Sequence, residues 1–500
     1  MLSLFEALAA IWMTVADAQS PLPCLSDRPD RLEACTAAIE NPALPAETRA
    51  LVLMSRGQLH LDRLDFAAAR ADFDAALAST PGDANAHSGR AKAHEMMGDL
   101  AAAERDYDAA IEADPWMSGA YLGRAQVRLA TGRDEAAIAD LGEARRLNPR
   151  DPGPMRVRGA YFLDRGDALA AIGELEAAVA LNDRDAVGWR LLGLAYLRTG
   201  QSAPALAALN RAVDTAPGDV AARRARATAL GQLERFAEAV ADYSDILAAE
   251  PDDNAARRAR GVAALRAGDA ATAEADFTVL LDARPDDIEL LYFRGTGRSS
   301  NLRFPGAIED FTRVLTLAPG NADALSARAA AYLALSEFAA AETDLTAAID
   351  GVPTPDLFRQ RAEVRFLARN WAGAADDFAR VAEAAPDAAI WRFIAEARAG
   401  HDGRAALLAA AQRFGERGWP GAAIRFFLGD GSSEALLAAA SAGDPAGASA
   451  RLSVARTWLG LAADLLGERD RALVWFSEAL RDSGDTDPFA MRVANQELYR

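Results

Sequence analysis

RGQLHLDRLDFAAARADFDAALASTPGD, residues 56–83, holds two stretches of helical spacing, a break near Asp65 and a stop at Pro81-Gly82. Residues 90–117, RAKAHEMMGDLAAAERDYDAAIEADPWM, write the same pattern again 34 residues later. When units are numbered from Ala50, position 20 is alanine ten times in succession, from Ala69 and Ala103 through Ala341 and, after one deletion, Ala374. Position 8 is always Gly or Ala, from Gly57 and Ala91 to Ala362. Position 24 is large, as in Phe73, Tyr107, Leu141, Phe277 and Phe378. Proline fills position 32 in nine of the ten units, Asp183 being the exception.

Each position has a physical task. Small residues at 8 and 20 let two antiparallel helices approach, and the bulky residue at 24 fills the space between neighbours. Proline at 32 stops the second helix, and an Asp or Asn two residues on (Asp83, Asp151, Asp219, Asp253, Asp287, Asn321) caps the next. Glycine at 15, as in Gly98, Gly132 and Gly268, ends the first helix. One helix pair cannot bury its own apolar face, so the copies must stack into a continuous core.

The pattern resembles the tetratricopeptide repeat over Ala50 to Pro386, a 34-residue helix-turn-helix with small residues at 8 and 20 and proline at 32. The resemblance implies an all-α fold, a right-handed superhelix with a helical C-terminal cap. It also implies that the first helix of each unit lines a concave surface and presents positions 2, 5, 9, 12 and 13 to a bound protein or peptide. At position 5, Arg156, Arg190, Arg224 and Arg258 recur one repeat apart, with Arg198 and Arg266 at position 13. Arginine forks grip carboxylate or phosphate, so an acidic partner is expected on this stripe, the alternative being a solvated face balancing nearby Asp and Glu. Position 9 carries no Asn, so the carboxylate clamp of chaperone-binding family members does not transfer.

A second polar pattern runs through the array. Position 7 is arginine and position 23 acidic in nine units, and the fifth unit loses both together, to Leu192 and Ala208. Joint loss predicts that the two side chains touch within each repeat.

After Pro386 the period fails and tryptophans gather: Trp391, Trp419, Trp458 and Trp475 join Trp371, and core filling is the expected role. A further unit places Gly460, Gly467, Ala472 and Phe476 on positions 8, 15, 20 and 24, with a closing helix near Pro488 to Leu498. The run WPGAAIRFFLGDGSSEALLAAA and the late repeat WLGLAADLLGERDRALVWFSEAL resemble the C-terminal half of bacterial envelope tetratricopeptide lipoproteins, which implies an adaptor role. Cys24 follows Pro21-Leu22-Pro23 rather than a lipobox, so a soluble periplasmic protein is expected.

Composition sets the outer bounds. Hydrophobic residues make up 51% of the 500 and charged residues 25%, enough for a packed chain. A formal charge of −19 repels phosphate backbones and argues against nucleic acid. The uncharged run Ala7–Ala16 followed by Ala16-Asp17-Ala18 fits an export signal cut after Ala18, and it is too short to span a bilayer. An exported chain with only Cys24 and Cys35 favours a disulfide between them; two thiols in a cytosolic protein is the alternative. His60 and His94 share repeat position 11 and read as packing residues. HExxH, CxxC, GxSxG and phosphate-cradling glycine loops are absent from the sequence, so neither catalytic residue, metal nor cofactor is expected.

The organisation expected is an export signal at 1–18, a capping segment with both cysteines at 19–49, and ten tandem units at 50–386. An irregular helical stretch at 387–452 and a terminal repeat-like unit with its capping helix at 453–500 complete it. The function expected is a non-catalytic scaffold or adaptor of the bacterial envelope, with a cytosolic assembly chaperone or regulator as the alternative.

Overall fold

The computed structural model describes residue 24 and residues 30–415, 418–481 and 487–500; the expected export signal lies outside them. Among the described residues all regular structure is helical, 28 helices in order along the chain. None of these helices is long and apolar enough to cross a membrane. The chain divides into two compact units, Met1–Asp242 and Tyr243–Arg500.

In the first unit, Cys24 and Cys35 are joined in a disulfide that ties residue 24 to the short helix Arg31–Glu40. Asp30 stands at the N-cap of that helix, but its side chain does not make the cap bond that the Asp30/Glu33 spacing predicts. Helix hairpins follow, beginning with Ala46–Asp62 and Phe66–Ser79, then Ala84–Met96 and Leu100–Ala113, then Ser118–Ala130 and Asp134–Leu147. First helices end where position 15 turns left-handed, φ 82° at Gly98 and 74° at Gly132. Second helices begin at a position-16 cap, where Asp65, Asp99 and Asp167 each accept the N–H three residues on. Asp83 and Asp219 cap the next first helix in the same way. Asp151 departs from this: Pro152 holds the cap position, and Asp151 accepts from Gly153 N instead.

The bulky position-24 ring is held between two repeats. A Cβ on Gly57, in the same hairpin, would lie 3.0 Å from the Phe73 ring, and one on Gly89, in the next, only 2.4 Å. Tyr107 is gripped likewise by Gly123, where a Cβ would meet it at 2.3 Å. Glycine at position 6 is therefore as much a packing device as the small residue at 8.

Positions 7 and 23 meet as the joint loss predicts. Arg56 donates from Nε and Nη2 to both oxygens of Asp72 at 2.9 and 2.6 Å, and Arg226 binds Asp242 at the same two distances. In the fifth repeat Leu192 and Ala208 are both buried in an apolar cluster. The arginines also tie repeats together. Asp108 of the second hairpin accepts from Arg124 at 2.7 Å, Arg124 and Arg128 both donate to Asp140, and Arg128 returns to Glu104 of the second hairpin at 3.0 Å. His60 and His94 occupy the place of Arg128 and approach Asp72 and Asp106 at 3.8 and 3.9 Å, so in these repeats the position-11 packing residue also faces a buried carboxylate.

The second unit continues the hairpins from Asn254–Ala267 and Ala270–Ala283 to Pro355–Leu367 and Trp371–Val381. Four helices outside the regular repeat follow, Pro386–Arg398, Arg404–Phe414, Gly421–Leu428 and Ser433–Ser441. The hairpin Pro445–Leu465 and Arg469–Arg481 restores the repeat, and a Cβ on Gly460 would press 2.5 Å from the Phe476 ring. Tryptophan fills this region. Trp391 and Trp458 are buried with centroids 5.9 Å apart, and Trp419 stacks on Trp458 at 5.3 Å. Trp371 meets Phe366 edge-on at 4.9 Å, and Trp475 packs against the same core.

Candidate functional site

In the first unit the first helices of repeats 1 to 3 line a groove of about 630 Å³. Its walls are Met54 and Ser88 from position 5, Gln58, Lys92 and Gln126 from position 9, and Leu61, Asp62 and Met96 from positions 12 and 13. These are the positions expected to face a partner. Gly89 and Gly123 keep the floor low, so the Phe73 and Tyr107 rings reach it from below. The volume falls within the roughly 300–1,000 Å³ typical of ligand clefts.

The groove is close to neutral in a strongly acidic chain. Lys92, the only lysine in the sequence, donates to Glu95 Oε1 at 2.9 Å, and its side chain keeps 42% exposure. The Tyr107 hydroxyl donates to Glu95 Oε2 at 3.1 Å. Burial, reinforced by the Glu95 carboxylate, holds that hydroxyl protonated well above the ordinary tyrosine range. Asp62 accepts from Gln58 Nε2 at 3.0 Å. What remains available is methionine and leucine surface with amide groups between, a lining that adapts to an apolar partner.

The arginine stripe is differently placed. Arg156 donates to Asp185 Oδ2 at 2.9 Å, and Arg190 Nε lies 3.0 Å from Asp219 Oδ2. Both aspartates are caps of the following helix, so position 5 braces the joint between hairpins. Arg198 donates to the Leu163 carbonyl and Arg258 pairs with Glu289. Neither Arg224 nor Arg266 is without an interaction inside the chain. Three of the six, Arg156, Arg190 and Arg258, thus meet acids that lie about a repeat away along the chain, a pairing that sequence offsets within one repeat do not display.

No group of three or more His, Cys, Asp or Glu able to hold a metal occurs among the described residues. Three features escaped the sequence reading: glycine at position 6, the cap at position 16, and the ion pairs joining positions 11, 21, 23 and 25 of neighbouring repeats. The first two carry a signal, since Gly89/Gly123 and Asp65/Asp99/Asp167 recur in phase. The third carries little, because the partners alternate between Asp, Asn, Ser and Thr at position 25.

The repeat profile described as "Tetratricopeptide repeat" matches residues 54–115, 90–152, 157–220, 224–288 and 294–356, more than half of the sequence. The chain belongs to the tetratricopeptide repeat family. A comparison with curated proteins gives no match. Among solved structures, the chain is similar to a tetratricopeptide repeat protein from Parabacteroides merdae, at 20% identity over 46% of this chain and 91% of that one, TM-score 0.36. It is also similar to a thermophilic TPR protein of Thermus thermophilus (26% identity, 36% of this chain and 98% of that one, TM-score 0.33). Pseudomonas aeruginosa pilF aligns at 18% identity over 42% of this chain and 96% of that one, TM-score 0.37. The profile matches end at residue 356, so the likeness of the C-terminal part to envelope lipoproteins rests on its residues alone.

Proposed function

We propose that the protein is a non-catalytic scaffold of the bacterial envelope that binds a protein or peptide partner on the inner helices of its repeats. The observation that carries this is the groove of repeats 1 to 3, where positions 5, 9, 12 and 13 converge on surface that the hairpins themselves do not consume. An oxidising compartment is supported by the paired Cys24 and Cys35 and by the export-type N-terminus. The arginine stripe takes part where an acidic segment exchanges with Asp185 and Asp219 for Arg156 and Arg190.

A photo-crosslinking residue at Gln126, on the inner face, tests the reading against one at Leu169, an exposed site on a second helix. In the native host, Gln126 is expected to trap a discrete protein in the envelope fraction while Leu169 traps none. Equal trapping at both sites, or trapping only at Leu169, contradicts the proposal.

A further inference from the structure

The closing helix of the second unit, Pro488–Leu498, docks against Pro355–Leu367, where Gln496 Nε2 donates to the Leu367 carbonyl at 2.9 Å. Phe489 anchors it, 7% exposed and with its ring centroid 5.7 Å from Phe366 and 4.6 Å from Trp391. The joint is not filled. Between this helix and Ala322–Ala334, Phe338–Gly351 and Pro355–Leu367 a pocket of about 200 Å³ remains. Ala329, Leu333, Leu345, Val364 and Phe489 give it apolar walls.

Three polar side chains, Glu363, Gln360 and Arg492, also line this pocket, and the fold leaves them largely unused. Glu363 and Arg492 each form neither a hydrogen bond nor an ion pair with a described residue. Gln360 accepts from Ser326 Oγ at 2.8 Å through its carbonyl oxygen, which leaves its amide N–H groups over. The other charges around Glu363 are committed elsewhere. Arg359 donates to Asp387 at 2.7 Å, and Asp487 accepts from Ala490 N at 2.8 Å as the cap of the closing helix. A carboxylate set among alkyl groups with no donor is costly, and burial, then Asp487, holds the Glu363 carboxyl above the ordinary range.

An occupant that relieves this cost brings a cation to Glu363 and an anion to Arg492 and Gln360, joined by a short apolar body. At about 30 Å³ for each water-sized group, the pocket takes about seven non-hydrogen atoms. We propose that it binds a small α-amino acid with a branched apolar side chain, the ammonium on Glu363, the carboxylate on Arg492 and Gln360, and the side chain against Leu333, Leu345 and Phe489. Few polar groups converging in an apolar cavity is the pattern of small-molecule sites. The pocket lies wholly within the second unit, and the inference does not depend on the scaffold reading. Because Phe489 and Arg492 belong to the closing helix, the ligand also holds that helix in place, its ammonium standing where Glu363 otherwise needs a proton.

Valine is the probe, titrated calorimetrically into the full chain at about pH 8, where Glu363 is ionised. Isobutylamine, which lacks the carboxylate, and isovalerate, which lacks the amine, are the controls. Valine is expected to bind about fivefold tighter than isobutylamine, as one exposed ion pair allows, and about tenfold tighter than isovalerate. Arg492→Gln should bring valine down to the level of isobutylamine and leave isobutylamine unchanged, whereas Glu363→Gln should weaken both about tenfold. Ala330→Trp, at an exposed position on the pocket wall, should abolish valine binding with circular dichroism unchanged. Bound valine should also raise the hydrogen-exchange protection of Pro488–Leu498. Absence of valine binding, equal affinity for valine and isobutylamine, or an affinity indifferent to Glu363→Gln or Ala330→Trp overturns the inference.

Discussion

Asp276→Ala would leave Arg260 facing a site built for two charges. The carboxylate is 2% exposed and accepts from Arg260 Nε and Nη2 at 2.8 and 2.7 Å, with Arg257 Nη1 at 3.8 Å. Arg260 keeps one other bond, from Nη1 to Ser244 Oγ at 3.1 Å. Removing one member of a buried pair costs about 3–5 kcal/mol, and the 20% exposure of the arginine side chain places this loss near about 3 kcal/mol. The fifth repeat supplies the repair: Leu192 and Ala208, at the same two positions, are buried at 3% each. Arg260→Leu combined with Asp276→Ala should thus return to within about 1 kcal/mol of the unmodified chain. Repeat arrays do not unfold in one step, so the readout is hydrogen exchange of Asn254–Ala267 and Ala270–Ala283 under mild urea rather than a single melting temperature. A double variant damaged as much as the sum of its singles would refute the pairing as a unit.

Leu302 holds φ 57° at a position where five repeats place glycine, and its side chain is 75% exposed, so Leu302→Gly should stabilise its hairpin by about 1 kcal/mol in thermal melts. Cys24→Ser opens a disulfide spanning 11 residues and should lower the stability of Arg31–Glu40 by about 3 kcal/mol, visible as faster exchange of that helix. Burial, then Asp487, pushes the Glu363 carboxyl from 4.5 up to about 7; Asp387 adds to the shift, and Arg359 and Arg492 oppose it. A raised acid favours the docked helix while protonated, so protection of Pro488–Leu498 should be full below about pH 4.5, fall through 7 and stay low above it; Glu363→Gln should make exchange, corrected for intrinsic rate, the same at both ends of that range.

The hairpins were legible because each of their demands recurs in phase: alanine at 20, a ring at 24, proline at 32. The pairing of positions 7 and 23 was legible for a sharper reason, since Leu192 and Ala208 remove both partners at once. The fate of the arginine stripe was not. That Arg156 and Arg190 pair with acids was open as the alternative, but which acids was not readable, since Asp185 and Asp219 lie 29 residues on in each case. The histidines were read in part: His60 and His94 pack on a helix face that elsewhere carries Phe162 or Leu230, and only the neighbouring helix reveals Asp72 and Asp106 beside them. The groove was half legible. Its positions followed from the repeat, but its neutrality depends on the Glu95 and Gln58 bonds that quench Lys92 and Asp62.

The most direct test of recognition by the inner helices is a hydrogen-exchange map of the full chain with its crosslinked partner bound. Added protection should fall on Ala46–Asp62, Ala84–Met96 and Ser118–Ala130 and spare Phe66–Ser79, Leu100–Ala113 and Asp134–Leu147. Protection confined to those second helices, or spread equally over both sets, would contradict it.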